Sequence, residues 1–273
     1  MKLIHHCVIA LTLSALLGGC EAAGPTDTTR NPCPERDQVV DQSIPATFLH
    51  GEGVPRRSPG ITAWAARLGP GEYQPGQGAE IYTEPQCAFG PVAGISTDVL
   101  VLGEGGRVTL AFNRLIVNVP GQADFAVYEN GIANTSAGTV FAELAWVAVA
   151  SRPTATDEEF ARFPATTTRS ESVGSWEQVD PDDYRGFAGV HPAGTGTAFD
   201  LQELVDHQLV LDGIVDLTAI RYVRIIDVIG DGSQLDDSEP RRPIYDPYPT
   251  YNPNITTNTA GFDLDGVAVL GGP

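Results

Sequence analysis

The stretch Ala123–Ala150, ADFAVYENGIANTSAGTVFAELAWVAVA, decides the fold. Two alternating runs, Ala123–Glu129 and Val140–Ala150, flank a loop that is rich in Asn, Gly, Thr and Ser. Alternation of apolar and polar residues predicts β-strands, and the composition of the segment between them predicts a connecting loop. The centre of this chain is therefore expected to be built from strands.

Each of these two strands carries an acid on its apolar face. Phe125 and Val127 share a face because side chains repeat every second residue, and Glu129 is in phase with them. Glu143 is in phase with the apolar residues of the second run, which are Phe141, Ala145, Val147 and Val149. A carboxylate on a buried face needs an arginine, a set of N–H donors or a metal, since burying it unpartnered is costly.

Strand patterns recur along the rest of the chain. Further strands are predicted at Val99–Leu102, Arg107–Phe112, Leu115–Val119, Phe160–Phe163, Ile220–Ile229 and Phe262–Leu270. Ile61–Leu68 fits a short helix or a strand, Asp200–Asp206 fits one helical turn capped by Asp200, and Asp231–Asn258 reads as a long loop. Many short strands with little helix predict an all-β fold, a two-sheet β-sandwich of jelly-roll type with long loops. A barrel is the alternative.

The N-terminus predicts export and a lipid anchor. Residues 1–20, MKLIHHCVIALTLSALLGGC, have a short apolar core followed by Leu17-Gly18-Gly19-Cys20, which looks like a bacterial lipobox. Cys20 is then expected to be lipidated and to attach the protein to the membrane. The residue after it is Glu21 rather than the Asp that would argue for retention in the inner membrane, which favours the outer membrane or cell surface. The alternative is an ordinary signal peptide cut nearby. Residues 21–36 are predicted to be a flexible tether, and residues 37–273 a single β-sandwich domain.

The net charge limits which partners the protein could bind, and the cysteines predict a disulfide. The formal net charge is −19, and Lys2 is the only lysine, so the chain without its signal peptide carries about −20 (−19 less the +1 of Lys2). Such a charge disfavours nucleic acid and anionic lipid and favours divalent cations. Cys33 and Cys87 are expected to form a disulfide in an exported chain, with two free thiols as the alternative.

Acids at strand ends predict a calcium site. Asp227 shares a face with Arg221, Val223 and Ile225, and Asp263 and Asp265 lie two residues apart. Calcium takes six to eight oxygen ligands, although DVIGDGSQLDDSE does not match the EF-hand spacing. The candidate ligands of a structural calcium ion are Asp124, Glu129, Glu143, Asp227, Asp231, Asp263 and Asp265. The alternative is a set of arginine–carboxylate pairs and turn-capping aspartates.

Aromatic residues on one loop predict a ligand surface. Tyr245, Tyr248 and Tyr251 lie in IYDPYPTYNPN, where proline spacing would hold the rings outward to stack on a sugar or a peptide. The alternative is that they cover an edge of the sandwich. His50, His191 and His207 stand in no catalytic motif, so no catalytic residue and no enzymatic activity are predicted. A polysaccharide hydrolase that uses paired carboxylates is the alternative function.

Several segments together resemble one protein family. They are LGEGGRVTLAFN, ADFAVYENG, FAELAWVAVAS, FARFP, FAGVHPAGTGTAFDL, YVRIIDVIGDG, PIYDPYPT and GFDLDGVAVL, which occur in this order. In combination they resemble bacterial exported cell-surface proteins, many of which end in PEP-CTERM-type sorting tails. The resemblance implies a surface location and a fold rather than an activity, and the N-terminal lipid would replace the missing tail. The expected function is binding of a glycan or another surface component, or a structural role in the envelope.

Overall fold

The computed structural model of the protein describes Cys33 and residues 36–271, which belong to one compact unit. The predicted signal peptide over residues 1–20, with Cys20, and most of the predicted tether lie outside the described residues. None of the helices in the described part of the chain is long and apolar enough to cross a membrane.

Strands dominate the described residues, and helix is scarce. The strands are β1 Gly53–Pro55, β2 Ile61–Gln74, β3 Leu100–Val101, β4 Arg107–Ile116, β5 Phe125–Glu129, β6 Ile132–Asn134, β7 Thr139–Phe141, β8 Ala145–Ala150, β9 Ala161–Arg162, β10 Thr166–Thr167, β11 Tyr184–Arg185, β12 Thr195–Phe199, β13 Ile220–Asp227, β14 Asp231–Leu235, β15 Pro243–Tyr245 and β16 Asp263–Leu270. Short 3-10 helices span Pro85–Ala88, Asp157–Glu159, Pro181–Asp183 and Leu201–Leu204, and α1 spans Gln208–Leu211. The predicted all-β class is confirmed.

Two curled antiparallel layers are joined through β2. One layer has the order β1-β12-β5-β16-β2, and the other continues as β2-β4-β13-β8-β9. The first part of β2 pairs with β16, with Trp64 opposite Ala268, and its later part pairs with β4, with Leu68 opposite Leu110. A long strand that passes from one layer into the other gives a sandwich-like fold with long loops.

The core fills the space between these layers. Phe125, Val127 and Val267 from the first layer pack in one cluster with Val147 and Val223 from the second. Burying apolar side chains on the facing surfaces of two sheets is the main favourable contribution to such a fold. The predicted common face of Phe125 and Val127 is confirmed, as is that of Ala145, Val147 and Val149.

The second predicted run is divided into two strands. β7 ends at Phe141 and β8 begins at Ala145, so Glu143 lies in the irregular segment between them. Phe141 belongs to the hairpin of β6 and β7 and stacks on Trp176 at 5.8 Å instead of entering the core. The prediction that Phe141 shares a face with Val147 is wrong, because the break in the strand resets the alternation.

Three local structure predictions have different outcomes. Asp200 accepts a hydrogen bond from the Gln202 N–H at 2.8 Å and caps the 3-10 helix Leu201–Leu204, which confirms the predicted turn. Ile61–Leu68, which fits a helix or a strand in the sequence, is the first part of the strand β2. The predicted long loop Asp231–Asn258 contains the paired strands β14 and β15.

Covalent and ionic contacts hold the N-terminal segment to the sandwich. Cys33 and Cys87 form the predicted disulfide, with their Cα atoms 5.2 Å apart. The Arg36 guanidinium lies 2.7 Å from the Asp98 carboxylate and 3.2 Å from that of Asp265, and it also donates to the Pro91 carbonyl. The end of the segment predicted as a tether is therefore fixed at Cys33 and Arg36.

Candidate metal centre

Five acids meet at one edge of the sandwich. Glu129 ends β5 opposite Leu264 of β16, and Asp263 begins β16. Antiparallel pairing brings the end of one strand beside the start of its neighbour. The other acids come from the second layer and its loops, at the end of β13, just before β8 and just after β15: Asp227, Glu143 and Asp246. These five residues form what we call the carboxylate cluster.

The cluster is withdrawn from solvent, and part of it lacks hydrogen-bond partners. Its members are between 0% and 8% exposed. Oε1 of Glu129, Oε1 of Glu143 and Oδ1 of Asp263 are buried without a hydrogen-bond partner. Buried polar atoms are nearly always partnered, so three orphaned carboxylate oxygens in one place require an explanation.

Backbone N–H groups satisfy other oxygens of the cluster. Glu129 Oε2 accepts from the Gly131 N–H at 2.5 Å, and Asp246 Oδ2 accepts from the Leu144 N–H at 2.8 Å. Asp227 is satisfied on both sides, because Oδ2 accepts from the Gly105 N–H and Oδ1 from the Phe262 N–H, each at 2.7 Å. These hydrogen bonds fix the side chains and leave the orphaned oxygens in the interior.

The electrostatics of the cluster disfavour its charged form. Burial raises the pKa of Glu129 and Glu143 well above the usual range, and the neighbouring Asp263 carboxylate raises both further. Burial also raises the pKa of Asp263 to about 7. Among the described residues, no arginine forms an ion pair with a member of the cluster. The alternative of arginine–carboxylate pairs therefore does not apply to these acids.

Glycines make room for the carboxylates. A Cβ at Gly131 would lie 2.7 Å from Glu129 Oε2, and one at Gly261 would lie 2.6 Å from Asp227 Oδ1. Gly261 also has φ near +68°, which side-chain-bearing residues rarely adopt. Both positions favour glycine because the carboxylates occupy the space of a side chain.

The spacing of the acids limits how a cation could be held. In the described part of the chain, only Cys33, Cys87 and Asp98 bring three possible ligand atoms within 4.8 Å of one another, and there the two sulfurs are joined as a disulfide. A single ion in the carboxylate cluster would thus bind fewer than three of its carboxylates as they are placed. Calcium also accepts amide, hydroxyl and carbonyl oxygens and water, which would complete its shell.

Neighbouring polar groups extend the cluster toward the surface. The Asn130 amide donates to Asp263 Oδ2 at 3.1 Å. The Thr250 hydroxyl donates to Glu104 Oε1 at 3.1 Å and also interacts with Glu143. Burial, with a smaller contribution from the exposed Asp231 carboxylate, raises the pKa of Glu104 to about 7. Three more side chains at this edge therefore carry oxygen atoms that could bind a cation: Asn130, Thr250 and Glu104.

The structure divides the predicted ligands into separate places. Glu129, Glu143, Asp227 and Asp263 come together, and Asp231 lies at the margin. Asp124 accepts N–H hydrogen bonds from Val119 and Leu201 instead.

Asp265 also lies apart from most of the cluster. Its carboxylate accepts from the Ala93 and Gly94 N–H groups and pairs with Arg36. It raises the pKa of Glu129 only as the smallest of the causes. Asp124 and Asp265 thus have protein donors on both oxygens, as Asp227 also has within the cluster.

The predicted aromatic surface is only partly assembled. Tyr245 is half-buried against an apolar cluster, and its carbonyl accepts from the Tyr184 hydroxyl at 2.5 Å. Tyr248 and Tyr251 are half-buried and interact through their hydroxyls. Tyr251 lines a groove of about 500 Å³, in which Trp176 is an additional aromatic residue.

The histidines have local structural contacts. His207 accepts from the Leu209 N–H and caps α1, and His50 accepts from the Asp200 N–H. His191 Nε2 lies 3.0 Å from the Gly51 carbonyl. His50 and His191 also line a cavity of about 540 Å³, and burial lowers the pKa of both.

The sequence patterns do not identify four residues of this region: Asp246, Glu104, Thr250 and Trp176. Asp246 lies between Tyr245 and Pro247, and Glu104 lies in a Gly-rich turn, so neither is in phase with an apolar strand face. The usable signal for Asp246 is its place directly after β15, which resembles the place of Asp227 at the end of β13.

Comparisons with known proteins add no assignment. Neither a protein-family model nor a curated protein sequence matches this chain.

Proposed function

We propose that this protein is an exported, lipid-anchored binding or structural protein of the cell envelope, stabilised by a calcium ion in the carboxylate cluster. Its partner would be a glycan or another surface component. The anchor is the lipid expected on Cys20. The lipobox-like residues and the resemblance to exported surface proteins support this location, and the Cys33–Cys87 disulfide is typical of an oxidising compartment.

One observation carries the cation proposal: the orphaned oxygens of Glu129, Glu143 and Asp263. Leaving a buried charged acceptor without a partner costs more than the about 1–3 kcal/mol of a neutral one. A divalent cation bound between two of these carboxylates would offset that cost for both of them. Hard oxygen ligands of this kind are those that calcium and magnesium prefer, and calcium tolerates irregular geometry better.

Burial favours the cation over the hydrolase alternative. Glycoside hydrolysis needs two carboxyl groups that contact the scissile bond. The cluster members are at most 8% exposed, and they are enclosed by strand ends and glycine turns. A polysaccharide chain would not reach them, whereas a dehydrated ion fits such an interior.

Thermal unfolding with and without calcium tests this function. The chelator-treated protein should gain about 5–10 °C in Tm when calcium exceeds its Kd about a hundredfold, because a ligand that binds only the folded state stabilises it. Asp263→Asn should lose that gain. Asp124→Asn is the matched control, since Asp124 is buried outside the cluster and its variant should keep the full gain. The absence of a calcium effect on the unmodified chain would rule out the proposal.

A further inference from the structure

We propose that the groove beside the carboxylate cluster binds a neutral oligosaccharide, with a sugar ring stacked on the exposed face of Trp176. This inference deepens the binding role proposed above and rests on it. The groove measures about 500 Å³, within the about 300–1,000 Å³ of sites that bind small ligands. We call it the Trp176 groove.

Trp176 is presented as a stacking platform. Its side chain is 77% exposed, while its ring lies parallel to that of Phe141 within 19° at a centroid distance of 5.8 Å. Phe141 therefore holds the indole from one side and leaves the other face to solvent. An indole fixed on one face can receive an apolar ligand face on the other at little cost in side-chain entropy.

The lining of the groove is uncharged. Among the described residues that form it, none carries a charged side chain, and the remainder are aromatic, apolar, amide or hydroxyl groups. This contrasts with a chain whose formal net charge is −19. A neutral ligand that combines apolar ring faces with hydroxyl groups matches both kinds of lining, and an oligosaccharide has that chemistry.

Hydrogen bonds fix the loop that forms one wall of the groove. Asn258 is buried; its Oδ1 accepts from the Asn252 N–H at 2.7 Å, and its Nδ2 donates to the carbonyls of Asn252 and Ile255. Tyr251 lines the same wall. The wall is thus preorganised, which lowers the entropic cost of binding.

Thr250 connects the groove to the carboxylate cluster. It lines the groove, while its hydroxyl donates to Glu104, accepts from the Gly261 N–H at 3.2 Å and interacts with Glu143. A cation that fixes Glu143 would therefore also fix the base of the groove. Saccharide binding should be stronger in calcium than in EDTA for this reason.

Tryptophan fluorescence provides the test. Trp146 is buried and Trp64 half-buried, so a ligand that covers Trp176 should change the emission of the most exposed tryptophan. The probes are hexasaccharides of glucose, mannose and N-acetylglucosamine, titrated into the protein in calcium, with hexagalacturonate as the anionic counter-probe. At least one neutral probe should bind, and the anionic probe should not.

Two variants locate the binding. Trp176→Ala should weaken the affinity about fivefold to tenfold, since an aromatic stacking contact contributes about that much. Trp64→Phe is the matched control, because Trp64 lies on β2 outside the groove and bonds to Gln38; its variant should keep the emission change. Unchanged melting temperatures in calcium would confirm that both variants are folded.

Three results would overturn the proposal: no binding of any neutral probe, binding that survives Trp176→Ala, or self-association that Trp176→Ala abolishes in sedimentation. If the protein melts at a higher temperature in calcium but fails these tests, only the proposal for the Trp176 groove is rejected. If the protein binds a hexasaccharide through Trp176 but calcium does not change its melting temperature, the groove proposal stands and the cation proposal is rejected.

Discussion

Asp263 and Asp265 lie two residues apart on β16, yet their surroundings differ. Asp265 receives two backbone N–H groups and the Arg36 guanidinium, so both of its oxygens have donors. Asp263 accepts one hydrogen bond, from the Asn130 amide, and its other oxygen is orphaned. It also lies close enough to Glu129 and Glu143 to raise the pKa of both. Both residues are buried aspartates, so the hydrogen-bond and ion-pair donors around the carboxylate distinguish a structural acid from a candidate metal ligand.

Removal of Arg36 should give the largest effect on the Asp265 side of this comparison. Arg36→Met leaves Asp98 and Asp265 buried without their cation, which typically costs about 3–5 kcal/mol. Urea unfolding should report that loss, and calcium should not restore it. Arg67→Met, which removes an exposed arginine that bonds to Asn113, is the control and should change little. Full rescue by calcium would mean that the two regions are not distinct.

Glu143→Gln should have opposite effects in the two buffers. Without calcium at pH 8, folding of the unmodified chain must either bury the charge of Glu143 or take up a proton, and both are unfavourable. Glutamine avoids both costs, so the free energy of unfolding of the variant should be about 1–3 kcal/mol higher. In calcium the same variant should be less stable than the unmodified chain, because a ligand is lost. Equal curves in both buffers would contradict a role for Glu143.

The calcium gain in Tm should grow with pH. The pKa of Asp263 is raised to about 7, above the roughly 3.9 of an unfolded aspartate. Without calcium, its contribution to stability is therefore fully present only below about pH 4 and is lost as the pH rises from there through about 7. Calcium binds the deprotonated form, so its effect should be small at pH 5 and largest at pH 8. Melting curves at several pH values measure this, and a gain that falls with pH would contradict it.

The smallest effect is expected at the margin of the cluster. Asp231 is exposed and already accepts from the Ser233 N–H at 2.8 Å. Asp231→Asn should change the free energy of unfolding by less than about 0.5 kcal/mol in either buffer, as surface substitutions usually do. A loss of the calcium gain in this variant would place the ion nearer to the surface than the cluster.

The sequence predicts the strands and some of the acids for physical reasons that do not extend to the whole site. Alternation identifies the faces of Phe125, Val127 and Val223, because the core is buried on one side of each strand. Glu129 and Asp227 stand out as acids in phase with those faces.

The remaining parts of the site depend on tertiary contacts. Alternation places Asp263 and Asp265 on one face, but the register of β16 against β5 shifts between Leu264 and Gly266, and the two acids meet different partners. Asp246, Glu104 and Trp176 reach their places through loops, whose paths no period in the sequence specifies. A pattern along one strand therefore identifies candidate acids, while their donors come from distant segments.

Calorimetric titration of calcium into the chelator-treated protein tests the central claim most directly. The account predicts saturable binding with release of protons, seen as a dependence of the heat on the ionisation enthalpy of the buffer, since raised-pKa carboxylates must deprotonate to bind the ion. It also predicts that the double variant Glu129→Gln, Glu143→Gln no longer binds. Absence of binding by the unmodified chain, or unchanged binding by the double variant, would contradict the claim that the orphaned oxygens hold a cation.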